Sequence, residues 1–157
     1  MKVLELMKTH VVRTTPDATL GEAVDLMDLY QTNGLPVVDA QECLCGILTE
    51  YDVLRALSNL LQHSPVSMMQ TEAESALFIE KTLIEKMLKS RDAEMLLVGS
   101  YMTHPAISIT EHTDLRSAAL LMLQHHLKRL PVTTEAGQVV GVLNRIDIFQ
   151  GVFADDF

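Results

Sequence analysis

Apolar residues at Leu20, Ala23, Val24, Met27 and Tyr30 return every three or four positions, which predicts one apolar stripe on a helix. Thr19 supplies a side-chain cap at its start, and Glu22, three residues on, completes a capping box. Asn33-Gly34 is expected to close that helix. The period then shortens: Leu35 to Val38 and Leu44 to Leu48 are short apolar runs separated by a polar turn around Ala40 to Glu42, as two strands of a hairpin would be. A β-prone segment, Val11 to Thr14, precedes the first helix, and Pro16-Asp17 marks the turn between them. A second helix is expected from about Glu50 to Leu61.

The same order returns later in the chain. Leu35-Pro36-Val37 recurs as Leu130-Pro131-Val132, 95 positions on, and Gly46 and Asp52 recur as Gly141 and Asp147 in the same register. Leu20, Ala23, Leu26 and Met27 correspond to Leu115, Ala118, Leu121 and Met122, and Met7 to Met102. Register held without a gap over so many positions marks an internal duplication. The second copy predicts a strand at Ile107 to Ile109, a helix from Asp114 to about His126, strands at Leu130 to Thr133 and Val139 to Leu143, and a last helix from near Arg145. The fold class expected is α/β in the broad (α+β) sense: two β-α-β-β-α units, 1–62 and 98–157, packed about a pseudo-two-fold axis. Residues 63–97 lie between them. A capping box at Thr71-Glu72-Ala73-Glu74 and apolar positions from Ala73 to Leu88 predict an extra helix there, either a spacer or a surface for a second copy or a partner.

Composition narrows the function. A formal net charge of -9 without a basic run excludes the electrostatic footprint of a nucleic-acid or anionic-membrane binder. The apolar stretches are much shorter than the roughly 20 residues of a membrane span, and Glu5 interrupts the N-terminal segment where a signal peptide needs its apolar run. A cytoplasmic location is expected. Cys43 and Cys45 are too close for an ordinary structural disulfide, and on a strand they share a face; they read as small strand residues. The histidines show no metal-ligand spacing, and P-loop, HExxH and Rossmann glycine patterns are missing from the chain. No metal, no required cofactor and no catalysis are expected.

The closing segments Gly46-Ile47-Leu48-Thr49-Glu50-Tyr51-Asp52 and Gly141-Val142-Leu143-Asn144-Arg145-Ile146-Asp147, each preceded by Leu-Pro-Val, resemble the CBS domain family, named after cystathionine β-synthase. The resemblance covers about residues 5–62 and 98–152. It implies a paired module with two related clefts that bind AMP, ADP, ATP or S-adenosylmethionine, that dimerises, and that regulates an enzyme or transporter in trans.

The motif positions have physical roles in such a cleft. A carboxylate at Asp147 or Asp52 accepts both hydroxyls of a ribose diol; alternatively each merely stabilises its helix N-terminus. Thr49 either donates to the ligand or caps the following helix, and Asn144 replaces the usual hydroxyl in the second copy. Helix starts at Glu50 and Arg145 are expected to aim N–H groups at an anion. Lys128, Arg129 and Arg145 offer positive charge to phosphates, or are solvated surface charges, whereas the matching Asn33, Gly34 and Glu50 offer none. The cleft with Asp147, Asn144 and Val142 is therefore expected to be the better nucleotide site. Carried over by position, its base slot uses His10, Val11 and Thr32, with His10 either stacking on the base or serving as a polar edge. The second cleft pairs Asp52, Thr49 and Ile47 with Ser100, Thr103, Pro105, Ala106 and Leu127. The competing readings are a structural or protein-interaction module with vestigial clefts, and an enzyme using the two aspartates as acid and base.

Overall fold

A computed structural model describes residues 1–62 and 96–154 of the chain. The extra helix expected between Ala73 and about Lys89 lies outside the described residues. The first half contains α1 (Leu20–Leu29), β1 (Gly34–Val38), β2 (Leu44–Thr49) and α2 (Glu50–Gln62). The second contains the single-turn helix α3 (Val98–Tyr101), then β3 (Ile109–Thr110), α4 (Leu115–Gln124), β4 (Arg129–Thr133), β5 (Val139–Asn144) and α5 (Arg145–Ala154).

The capping box acts as the sequence predicts: Thr19 Oγ1 accepts from the Glu22 N–H at 3.1 Å, and Glu22 Oε2 accepts from the Thr19 N–H at 2.9 Å. In the second copy Asp114 caps α4 through the Ser117 N–H at 2.9 Å. β1 and β2 pair antiparallel, with Leu35 opposite Leu48 and Pro36 opposite Ile47. β4 and β5 repeat that register with Leu130 opposite Leu143 and Pro131 opposite Val142, and β3 joins β4 in parallel. Even the register shift is duplicated, between Val37 and Val38 and between Val132 and Thr133.

Three local expectations are corrected. Asn33-Gly34 does not close α1: Gln31 takes the left-handed turn at φ 50°, and Gly34 already belongs to β1. His126, 95 positions on, does the same at φ 53° after α4. Val11 to Thr14 forms no strand beyond one parallel bridge from Thr14 to Val37, and the strand expected at Ile107 to Ile109 is displaced to Ile109–Thr110. Short edge segments have few ladder bonds to gain, so the turn geometry on either side decides where pairing starts.

Each half buries its own apolar cluster, but the leading segments are exchanged. Leu20, Ala23, Leu35, Val37, Leu48, Val53 and Ala56 form one core together with Val98, and Tyr101 and Met102 pack on it. Leu115, Ala118, Leu130, Val132 and Leu143 form the other together with Val3, and Leu6 and Met7 pack on that one. The segment before each repeat thus completes the opposite core. Paired bridges fix the exchange: Lys8 with Val142 and Thr103 with Ile47, positions related by the same offset of the duplication. A third bridge, Cys43 to Gln138, joins two positions that the offset interchanges, as expected on a pseudo-two-fold axis. The two halves are one cooperative body because neither core is complete without residues from outside its own repeat.

Candidate functional site

The exchange brings Lys8 to Val12 against the end of β5 and the start of β1. There a cavity of about 310 Å³ is lined by Lys8, His10, Val11, Val12, Tyr30, Gln31, Thr32, Gly34, Pro36, Arg129, Val142 and Asn144. Its size is at the lower end of the range of small-molecule sites, roughly 300–1,000 Å³. Val11, Val12, Pro36 and Val142 give it apolar wall, and Tyr30 and His10 stand at its side as a tilted ring pair with centroids 6.3 Å apart. Of the residues that the sequence placed in this cleft, His10, Val11, Thr32, Arg129, Val142 and Asn144 line it together.

Asp147 sits behind that wall and is buried. Its Oδ2 accepts from the Asn144 backbone N–H and from the Asn144 side-chain amide, both at 2.8 Å. Its Oδ1 faces Lys8 Nζ at 3.4 Å. No motif singles out Lys8 in the sequence, but the repeat offset does: it is the counterpart of Thr103, a residue expected in the second cleft.

Arg129 behaves differently from the phosphate ligand expected of it. Its guanidinium crosses to the first repeat, donating to Thr32 Oγ1, to Asn33 Oδ1 at 2.6 Å and to the Gly34 carbonyl at 3.4 Å. Burial pulls its pKa down, opposed by the nearby Glu50 carboxylate. Three oxygens satisfy the fork, so Arg129 fastens one repeat to the other at the rim of the cavity. Lys128 and Arg145 are exposed, and neither lines this cavity. The Arg145 N–H donates to the Lys128 carbonyl at 3.1 Å, as the Glu50 N–H does to the Asn33 carbonyl at 3.1 Å. Those two helix-start N–H groups therefore do not aim at an anion; the preceding loop already satisfies them.

The second cleft is chemically fuller. Asp52 Oδ2 accepts from the Thr49 N–H and hydroxyl, both at 2.9 Å, while Oδ1 accepts from Thr103 Oγ1 at 3.0 Å and from the Arg55 guanidinium at 3.1 Å. Thr49 caps α2 in return, accepting the Asp52 N–H at 3.3 Å. The structure thus gives Asp52 and Thr49 the capping role that the sequence left open. Ile47 and Thr103 exchange backbone hydrogen bonds of 2.8 and 3.0 Å. Ser100 and Pro105 are exposed, Ala106 is half-buried, and Leu127 packs against the second core.

A larger hollow, about 630 Å³, lies between α1 and α2, walled by Val24, Met27, Val53, Leu54 and Leu57 with Arg129 at its edge. Size alone favours it, but the β5 motif residues converge on the smaller cavity, and that convergence is the better guide to chemistry. Among the described residues no group of three or more His, Cys, Asp or Glu side chains is placed to hold a metal ion, and no helix is long and apolar enough to cross a membrane. Both cysteines are free thiols, and burial, then Asp39 and Cys43, push the Cys45 thiol pKa up.

Two copies of a β-α-β-β-α unit, cross-completed and leaving a cleft beside a duplicated Gly-to-Asp segment, define a paired two-repeat module. The CBS domain family profile matches residues 3–59 and 98–153, and the chain belongs to that family as a tandem pair. It is 32% identical over 136 residues to the CBS domain-containing protein CBSX1, chloroplastic, of Arabidopsis thaliana, covering 87% of this chain and 56% of that one. An uncharacterized Methanocaldococcus jannaschii protein, MJ1426, is 27% identical, with 97% and 91% of the two chains covered. The chain thus spans about half the length of the plant relatives (55% of CBSX2). Among solved structures, CBSX2 in complex with AMP superposes with a TM-score of 0.72 at 26% identity, covering 99% of this chain and 98% of that one. The CBS domain pair of MJ0100, in complex with 5′-methylthioadenosine and S-adenosyl-L-methionine, shares the fold at 19% identity, TM-score 0.66, with coverage of 100% and 98%. The same family also occurs within longer chains named for enzymes, such as an inosine-5′-monophosphate dehydrogenase of which the match spans 23%.

Proposed function

We propose that this chain is a non-catalytic regulatory module that binds an adenine nucleotide in the cleft bounded by His10, Val11, Thr32, Val142 and Asn144. The observation that carries the reading is the convergence of those residues on one cavity beside a buried carboxylate whose Oδ1 is held solely by an exposed lysine among the contacts described. Asp147 takes the ribose hydroxyls, the valine walls and the Tyr30–His10 pair take the base, and the phosphate lies toward Lys8, with Lys128 and Arg145 as outer charges. AMP bound to CBSX2 supports this ligand class. The family's adenine ligands also include S-adenosylmethionine, and ADP and ATP differ from AMP by charge that the outer cations can meet.

The two clefts are unequal in this reading. Asp52 has hydrogen-bond donors on both oxygens, so the cleft of Ser100, Thr103, Pro105, Ala106 and Leu127 serves structure, and one ligand binds per chain. The repeats are taken as 1–62 and 98–157, with 63–97 connecting them. A ligand touching both shifts their relative angle, and that shift is what a regulated enzyme or transporter in trans reads. The partner in assembly is a second copy: Tyr51, Leu54, Ile146 and Phe149, which are equivalent positions on α2 and α5, are all more than half exposed. Two free thiols suit a reducing compartment such as the cytoplasm.

Calorimetry and thermal shift with AMP, ADP, ATP and S-adenosylmethionine test the reading. A ligand at 100 times its Kd stabilises the fold by about 2.7 kcal/mol. Asp147→Ala is expected to abolish the response, whereas Asp52→Ala lowers Tm yet leaves affinity at the first cleft within a few-fold. A flat response to all four ligands overturns the proposal in favour of an interaction module.

A further inference from the structure

The two repeats pair their aspartates with different cations: Asp147 with Lys8 from the exchanged segment, Asp52 with Arg55 of its own helix. At the position equivalent to Lys8 stands Thr103, a neutral donor to Asp52, backed by Arg55. Lys8 has a fixed backbone and a movable charge. Its N–H and carbonyl exchange hydrogen bonds of 2.9 Å with Val142, pinning the main chain at the cavity wall, while its side chain is 61% exposed against 5% for Asp147. Asp147 Oδ2 is already committed to Asn144, so the oxygen that a ribose must claim is the one that Lys8 faces. Arg129, the other cation lining the cavity, is engaged by Thr32, Asn33 and Gly34.

We propose that Lys8 is the specificity-determining residue of this cleft: it pairs with Asp147 when the cleft is empty and turns to the phosphate once a ribose diol takes the carboxylate, so that the site selects phosphorylated nucleosides. The inference rests on the nucleotide reading above. A nucleoside without phosphate breaks the Lys8–Asp147 pair and gives the ammonium nothing in return. A nucleoside bearing a sulfonium adds positive charge to a cavity already lined by two cations. A nucleoside monophosphate replaces each lost contact with a charge-assisted one. The diol and the phosphate therefore reinforce each other, each removing the other's cost.

Isothermal titration of the full chain with AMP, adenosine and S-adenosylmethionine, on wild type, Lys8→Met and Lys8→Arg, decides it. Wild type is expected to bind AMP at least about tenfold more tightly than either of the others. Lys8→Met is expected to weaken AMP about tenfold or more while adenosine binds as well as before or better, and Lys8→Arg is expected to retain the preference for AMP. Equal losses for AMP and adenosine in Lys8→Met, as a merely structural role would give, overturn the proposal, as does a wild type that binds adenosine as tightly as AMP; in both cases nucleotide binding itself stands. A wild type that binds neither AMP nor adenosine overturns this proposal; only if ADP, ATP and S-adenosylmethionine fail as well does the underlying nucleotide reading fall with it.

Discussion

At the scale of single residues, the duplicated glycines show how much one missing side chain decides. A Cβ at Gly46 would lie 2.8 Å from both the Met102 Sδ and the Thr103 carbonyl oxygen; at Gly141 it would meet Met7 Sδ at 2.7 Å but the Lys8 carbonyl oxygen only at 3.1 Å. A methionine tip can swing aside, whereas a backbone carbonyl held in a bridge cannot. Gly46→Ala is therefore expected to lower Tm more than Gly141→Ala, by circular dichroism melting, and equal effects would refute the distinction. These glycines were visible in the sequence as repeated letters, but their reason, the close passage of the exchanged segment, was not. Lys8 is marked only by the offset that pairs it with Thr103; nothing in its own stretch of chain says that it reaches Asp147.

At the scale of elements, helices and hairpins were legible because their signals are local. The Thr19 capping box, the α1 stripe and the Leu-Pro-Val strands all depend on neighbours within a few residues. α4 carries a pH signature of the same local kind. Hydrogen bonds from the Ser117 hydroxyl and then the Ser117 N–H hold the Asp114 carboxyl below its usual pKa, with Lys2 adding to the effect. A lowered folded-state pKa means that the cap contributes fully above the ordinary Asp range, about 3.9, and is lost as pH falls through the folded value. Urea denaturation should show Asp114→Ala less stable than wild type at neutral pH, with the gap closing in acid. A gap independent of pH would assign the cap to the wrong group. The end of α1 is less legible, since its left-handed turn falls on Gln31 rather than on Gly34, a choice that depends on how the next strand must enter the sheet, whereas the end of α4 near His126 follows the pattern.

At the scale of the whole molecule, Tyr51 and Leu54 on α2 and Ile146, Phe149 and Phe153 on α5 expose apolar surface that water does not favour. Light scattering is expected to give twice the 17.5 kDa chain mass, and Leu54→Glu with Phe149→Glu to halve it without loss of helix signal. A monomeric wild type would remove the second copy from the proposal. Ligand response in the monomeric variant would also tell whether the cleft is complete within one chain, as its lining residues indicate.

Sequence alone determined the duplication, the hairpins and their caps, and the two aspartates that close the repeats, because each is recorded in short-range patterns or in one fixed offset. Tertiary structure decided how each aspartate is held. The exchanged segments bring Lys8 to Asp147 and Thr103 to Asp52, Arg129 is turned toward the first repeat, and Arg55 pairs with Asp52. All but the last of those pairings join residues distant in the chain, and their geometry depends on the docking of two cores that no local pattern encodes.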